Sequence, residues 1–269
     1  MSSPNTAQAT RQFWNNWPCD GQSSYKLRAK LRYSKEPFIM HNLKQLAVRH
    51  SKIIEIGCGQ GTDAITACQY LKPGSTYMGI DASLQSVNFA RQAVEDIASK
   101  LHVSPKFEEG DALALPFKDN SVECIYSMGV LHHIDDTQEA LNEVHRVLKP
   151  GGISYIFLYR LASPKILIAY ILRGLQKLCD VILRQDRILL KVFETYSFEK
   201  LFGTMLLEAF GVPIMHSYTN KGIQRLFSRF EEFNVIPCGF NWPFDASYKR
   251  SNLTGRNLLG NFFFVTAVK

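Results

Sequence analysis

Three glycines at alternate positions behind an apolar strand constrain this chain more than any other feature. The stretch IIEIGCGQGT runs from Ile53 to Thr62. Ile53, Ile54 and Ile56 read as a buried strand, Gly57, Gly59 and Gly61 as a turn, and residues 62–71 as the helix that follows. Glycine is needed where a chain takes positive φ or lets a ligand press on bare backbone. Strand, glycine turn and helix in this order open a nucleotide-binding βα unit. The dinucleotide form G-x-G-x-x-G would require glycine at position 62, where Thr62 stands, so this turn alone leaves the ligand open.

The alternation continues to residue 160. A helix is expected over residues 40–50, then strands over 52–56, 75–80, 105–109, 122–127 and 153–159. Ser83 is placed to cap a helix reaching residue 99, with Val87, Ala90, Val94 and Ile97 on one face. A helix over residues 137–148 ends at Lys149-Pro-Gly-Gly152, because proline cannot continue it. Repeated βα units imply an α/β fold with a doubly wound, largely parallel sheet. Residues 160–212 break the rhythm with apolar and basic residues at helical spacing. The alternation returns with a helix over 220–230 and strands over 233–238 and 261–268. The expected organisation is an N-terminal lid (1–39), a core (40–160), a helical cap insert (161–217) and the last part of the sheet (218–269).

With 46% apolar and 20% charged residues, the 269-residue chain can bury a sizeable core. Its six cysteines are scattered, without C-x-x-C or metal-ligand spacing, and its N-terminus is polar. Reduced thiols, a cytoplasmic location and no metal are therefore expected. The apolar run Ile166–Leu172 is too short to span a bilayer. A net charge of +7 hides an asymmetry: residues 51–159 carry eight basic against fourteen acidic residues, whereas residues 1–50 carry eight against two. Basic flanks around an acidic core suit either an anionic or membrane-surface partner or a solvated surface.

Asp81 ends the second strand, 20 residues beyond Gly61, where a carboxylate can accept both hydroxyls of a ribose. Glu55 adds an acid inside the first strand, which suits a ligand with a cationic head. Asp111, in GDALALPF after the third strand, is placed either to accept from an adenine amine or simply to make a turn. SMGVLHHI, from Ser127, leaves the fourth strand at the edge where such folds bind ligands.

Taken in order, EIGCGQGTD, GIDAS, GDALALPF, VLHHIDD and EVHRVLKPGG resemble a class I S-adenosylmethionine-dependent methyltransferase of the small-molecule type. The resemblance implies a seven-stranded Rossmann-like sheet with a reversed final hairpin and S-adenosyl-L-methionine as cofactor. Carried onto this sequence, it implies that Glu55, Gly57 and Gly59 line the methionine end, that Asp81 holds the ribose, and that Cys58 and Ala82 also belong to the cofactor site. It puts Asp111 and Ala112 on the adenine and Ser127 near the amino-acid end. The implied activity is methylation of a small metabolite, with no nucleic-acid partner, and the apolar residues of the cap make a largely apolar acceptor the expectation. The alternatives are methylation of a protein or nucleic acid, disfavoured because the turn after the fourth strand reads SMGV and not N-P-P-Y, and a cofactor-binding regulator.

His132 and Tyr25 are the candidate catalytic residues. Histidine titrates near neutrality, so His132 could serve as a general base; packing against the cofactor is the competing role. In the leader, YKLRAKLRY alternates like a strand, but the resemblance favours a helix with Tyr25, Ala29 and Tyr33 on one stripe. Trp14, Trp17 and Tyr25 either wall a substrate pocket or dock the leader on the core. The cap supplies Ile166, Ile171, Leu175, Leu178, Val181 and Ile182, then Leu189, Leu190, Val192 and Phe193, with interleaved arginine and lysine. Such helices line a greasy pocket, lie at a membrane surface, or form a homodimer interface.

Overall fold

The computed structural model describes residues 4–16, 24–184, 207–239 and 258–269. Trp17, Cys19 and the part of the expected cap with Leu189, Leu190, Val192 and Phe193 lie outside them.

Three helices lead in: α1 (Pro4–Asn16), α2 (Tyr25–Lys35) and α3 (Pro37–Arg49). The alternating part then runs β1 (Lys52–Ile56), α4 (Thr62–Cys68), β2 (Thr76–Asp81), α5 (Leu84–Glu95), β3 (Lys106–Glu109), β4 (Val122–Met128), α6 (Thr137–Val147) and β5 (Leu148–Tyr159). The helix α7 (Pro164–Leu183) follows. A π-helical turn (Leu207–Gly211), α8 (Asn220–Leu226), β6 (Glu232–Cys238) and β7 (Phe262–Val268) complete the described chain.

The seven strands form one sheet in the order β3-β2-β1-β4-β5-β7-β6. The first five pair in parallel; β7 runs antiparallel to both β5 and β6. This is the reversed hairpin that the resemblance implied. Each face of the sheet has its own core. Ile39, Leu43, Ile65, Val87 and Phe157 belong to one, and Ile125, Leu141, Val144, Ile156 and Val265 to the other. Because β1 is flanked by β2 on one side and β4 on the other, the order reverses there, and a crevice opens beyond the carboxyl ends of β1 and β4.

Local chemistry sets the boundaries. The Ser83 hydroxyl accepts from the Ser86 N–H at 3.1 Å and starts α5. Asp136 caps α6 by accepting from the Glu139 N–H, and Ser163 caps α7 from the Ile166 N–H. In α2, helix prevails over the alternating pattern because Arg28 is buried and Tyr25 and Tyr33 are half-buried beside it, not turned to water. β5 begins earlier than its apolar run, since Gly151 N–H donates to the Lys269 carbonyl and Lys269 N–H to that of Gly152.

Candidate active site

The glycine turn is stitched to β2. Gly57 and Cys58 N–H both donate to the Ile80 carbonyl, at 2.7 and 3.0 Å. Gly57 and Gly61 have φ of 75° and 74°. A Cβ on Gly57 would sit 2.2 Å from Val130, and one on Gly61 would sit 2.8 Å from Phe107, so only glycine fits either place. Gly59 instead has open space beside it, on the wall of a cavity.

That cavity is lined by every residue from Glu55 to Gln60, by Asp81, Ala82 and Ser83, and by Gly110 through Leu113. Met128, Gly129 and Val130 follow from the end of β4. Helix α1 contributes Ala7, Thr10, Arg11 and Trp14; His133, Ile134, Asp135 and Ile214 complete an apolar and histidine-bearing group. Trp14 and His133 lie with ring centroids 5.4 Å apart.

Asp81 is half-buried, and desolvation pushes its carboxyl above the usual carboxylate range. Its two oxygens accept from the Gly59 N–H at 2.8 Å and the Ser83 N–H at 2.9 Å, which pull the other way. Each carboxylate oxygen has a second acceptor site, so a diol can still be bound. Glu55 is held by the Tyr77 hydroxyl at 2.9 Å. Burial, and then the neighbouring Asp63 carboxylate, drive the Glu55 carboxyl well up. Burial does the same to the Cys58 thiol, keeping it protonated and unreactive. Asp111 is half-exposed; its Oδ1 accepts from the Leu113 N–H, and its Oδ2 lies 3.6 Å from Arg11.

Three of the sequence-derived residues stand elsewhere. Ser127 is fully buried and does not line the cavity; its hydroxyl donates to the Ile56 carbonyl at 3.0 Å, tying β4 to β1. His132 is also fully buried, with its ring stacked at 3.7 Å on Tyr159 and away from the cavity lining. Burial, with His133 and His216 adding to it, holds its pKa well below the ordinary imidazole value. The cavity wall therefore carries its neighbour His133 and not His132. Tyr25 faces α4, where its hydroxyl is 2.8 Å from Thr66 Oγ1 and accepts from Gln69 Nε2 at 2.7 Å. It docks the leader and is not part of the cavity lining.

Sequence reasoning missed the residues that clamp α2 to the turn. Arg32 donates to both oxygens of Asp63, and the hydroxyls of Tyr33 and Tyr126 donate to the same carboxylate. Buried Arg28 donates to Thr62 Oγ1 and to the Gln60 carbonyl. The available signal was their i,i+4 spacing within a helix, which puts both guanidinium groups on one face. Gln60 was missed too: it is 4% exposed, on the cavity wall, with neither carboxamide atom hydrogen-bonded. A buried, unsatisfied amide beside a cavity marks a place where a polar ligand group fits.

Bare glycine backbone, an aspartate at the end of β2 and the Gln60 carboxamide suit a nucleoside bearing a polar amino-acid tail. The comparisons with known proteins agree. Residues 54–156 match the family described as methyltransferase domain. Similar curated proteins include the fatty-acid O-methyltransferase of Mycolicibacterium smegmatis, 34% identical over 45% of this chain and 40% of that one. Another is the demethylmenaquinone methyltransferase of Staphylococcus aureus, 36% identical over 41% of this chain and 44% of that one. The chain spans less than half the length of these relatives. Among solved structures, a SAM-dependent methyltransferase of Thermotoga maritima shares the fold over 98% of this chain and 99% of its own, with TM-score 0.58 and 17% identity. Residues 54–156 thus carry a match to a methyltransferase domain, and the chain shares the fold of a SAM-dependent methyltransferase.

Proposed function

We propose that the protein methylates a small, largely apolar metabolite. The observation that carries this reading is the make-up of the cavity: the cofactor motifs and an apolar group of Trp14, Ile134 and Ile214 line one space. S-adenosylmethionine supplies an electrophilic methyl group on a sulfonium. The chain's own part is to bind, orient and keep water out. Asp81 would hold the ribose and Asp111 with Ala112 the adenine, while Glu55, Gly57, Gly59 and the Gln60 carboxamide would take the amino-acid end. Trp14 and Ile214 would cover the acceptor.

His133 is the residue we assign to proton handling. Its Nδ1 lies 2.8 Å from the Ile214 carbonyl, which can only accept, so Nδ1 carries the proton and Nε2 is the basic nitrogen of the neutral ring. An acceptor hydroxyl could thus lose its proton to Nε2 during transfer. The names of the two curated relatives, for a fatty acid and for demethylmenaquinone, support an apolar acceptor. The test is transfer of a labelled methyl group into fractions of a metabolite extract separated by polarity. Label in the lipid-soluble fraction is expected; label only in water-soluble metabolites, or in protein or nucleic acid, would overturn the reading.

A further inference from the structure

Helix α7 buries one side and exposes an apolar stripe on the other. Ile166, Ala169 and Gln176 are buried on the inner side. Leu167, Ile171, Leu175, Leu178 and Ile182 follow one another three or four residues apart, which aligns them along the other side. They are exposed, Ile171 at 63% and Ile182 at 67%, and Val181 beside them reaches 76%. A helix turned to water carries polar residues on its outer face, and a contiguous apolar stripe rimmed by charge marks an interaction surface. Lys177 flanks the stripe one turn before Val181, Arg184 caps the helix end, and Asp180 is the single acid of the helix.

We propose that the outer face of α7 docks on an anionic lipid surface, lying in the interface. Among the described residues no helix is long and apolar enough to cross a membrane. Charge favours lipid over a second copy: anionic headgroups complement Lys177, Arg184 and the basic balance of residues 160–200, eight basic against four acidic, whereas self-pairing would set two basic segments together. The inner side explains why such docking is useful. Tyr170 Oη donates to the Met215 carbonyl at 3.1 Å, and Arg173 donates to the carbonyls of Val212 and Pro213 at 2.8 and 3.0 Å. Between those anchors lies Ile214, on the cavity wall and bonded to His133. A seated α7 therefore sets the apolar part of the cavity beside the bilayer, so that an acceptor dissolved in lipid reaches it without crossing water. That last consequence rests on the apolar-acceptor reading; the docking does not.

The full chain should co-sediment with vesicles of phosphatidylcholine and phosphatidylglycerol, and much less with phosphatidylcholine alone or at high salt. Replacing Ile171 and Val181 together by Asp removes no core contact and should lower the partition by about tenfold or more. The variant's thermal melting and S-adenosylhomocysteine affinity should stay unchanged. No binding to the anionic vesicles, or undiminished binding by the double variant, would overturn the proposal. A dimer seen by light scattering that the double variant splits would also overturn it, assigning the face to a second copy. Vesicle binding together with methylation of a water-soluble acceptor would refute only the apolar-acceptor reading.

Discussion

Arg32 and Asp63 form a two-pronged ion pair, with Nε and Nη2 each 2.8 Å from a different carboxylate oxygen. The aspartate is 3% exposed, and it belongs to the first turn of α4, directly after the glycine turn. The leader helix is therefore bolted to the segment that shapes the cofactor site. Removing one partner of a buried pair leaves the other charge uncompensated. Arg32→Met should destabilise the fold by about 3 kcal/mol or more in urea unfolding. Arg32→Lys, which keeps the charge but not the fork, should lose less. Equal stability of the methionine variant would mean that the tyrosine hydroxyls alone satisfy Asp63.

Asp81→Ala should weaken S-adenosylhomocysteine binding by about 2–3 kcal/mol, on the order of 100-fold in Kd by calorimetry. The change also leaves the Gly59 N–H without its acceptor. Asp81→Asn is the control, because one amide oxygen can still hold that N–H. Affinity unchanged in both variants would remove Asp81 from the ribose site.

The sheet and the cavity wall were legible because their signals are local. Ile53 to Gly61 carry strand and turn within nine residues, and Ser83 announces a helix three residues before its bonding partner. The partnership of Arg32 with Asp63 spans 31 residues and appears only when α2 meets α4. The choice between His132 and His133 depends on which ring a short 3-10 turn, Leu131–His133, aims at the cavity. Composition treats the two alike. Ser127 misled for a related reason: it lies one residue short of Met128, where β4 first reaches the cavity wall.

The histidine pair separates in kinetics. His133→Ala should lower turnover by about 100-fold with cofactor affinity nearly unchanged, the usual scale of general-base assistance. His132→Phe retains a ring against Tyr159 and should change turnover by less than about fivefold. The reverse pattern would return the role to His132.

His132 should also register in stability. Its folded pKa lies below the ordinary 6.5, so between those two values the unfolded chain binds a proton that the native ring refuses. Its contribution is whole above pH 6.5 and is lost as the pH falls towards the folded value, at about 1.4 kcal/mol per pH unit. His145 and His50 are lowered as well, so the informative quantity is the difference between wild type and His132→Phe. Urea midpoints of the two should diverge below pH 6.5, with the wild type falling faster. Parallel curves would show that His132 titrates normally.

The lid is tested by where the leader is cut. Removing residues 1–34 would take away Arg28 and Arg32 and strand buried Asp63, so lost activity would report damage to the fold. Removing only residues 1–16 takes α1 and leaves that anchor in place. Helix α1 gives Trp14 to the cavity wall, and its Asn15 accepts from the Ser83 hydroxyl at 2.6 Å. Its Arg11 lies 3.6 Å from Asp111, and Phe13 packs where a side chain at Gly211 would clash. The short deletion should abolish turnover, since water then enters the space that Trp14 closes. S-adenosylhomocysteine should still bind, because Asp81 and the glycine turn are untouched; loss of the Arg11 contact frees Asp111 for the adenine. Full activity after this cut, in a protein that melts like the wild type, would show that α1 is no lid.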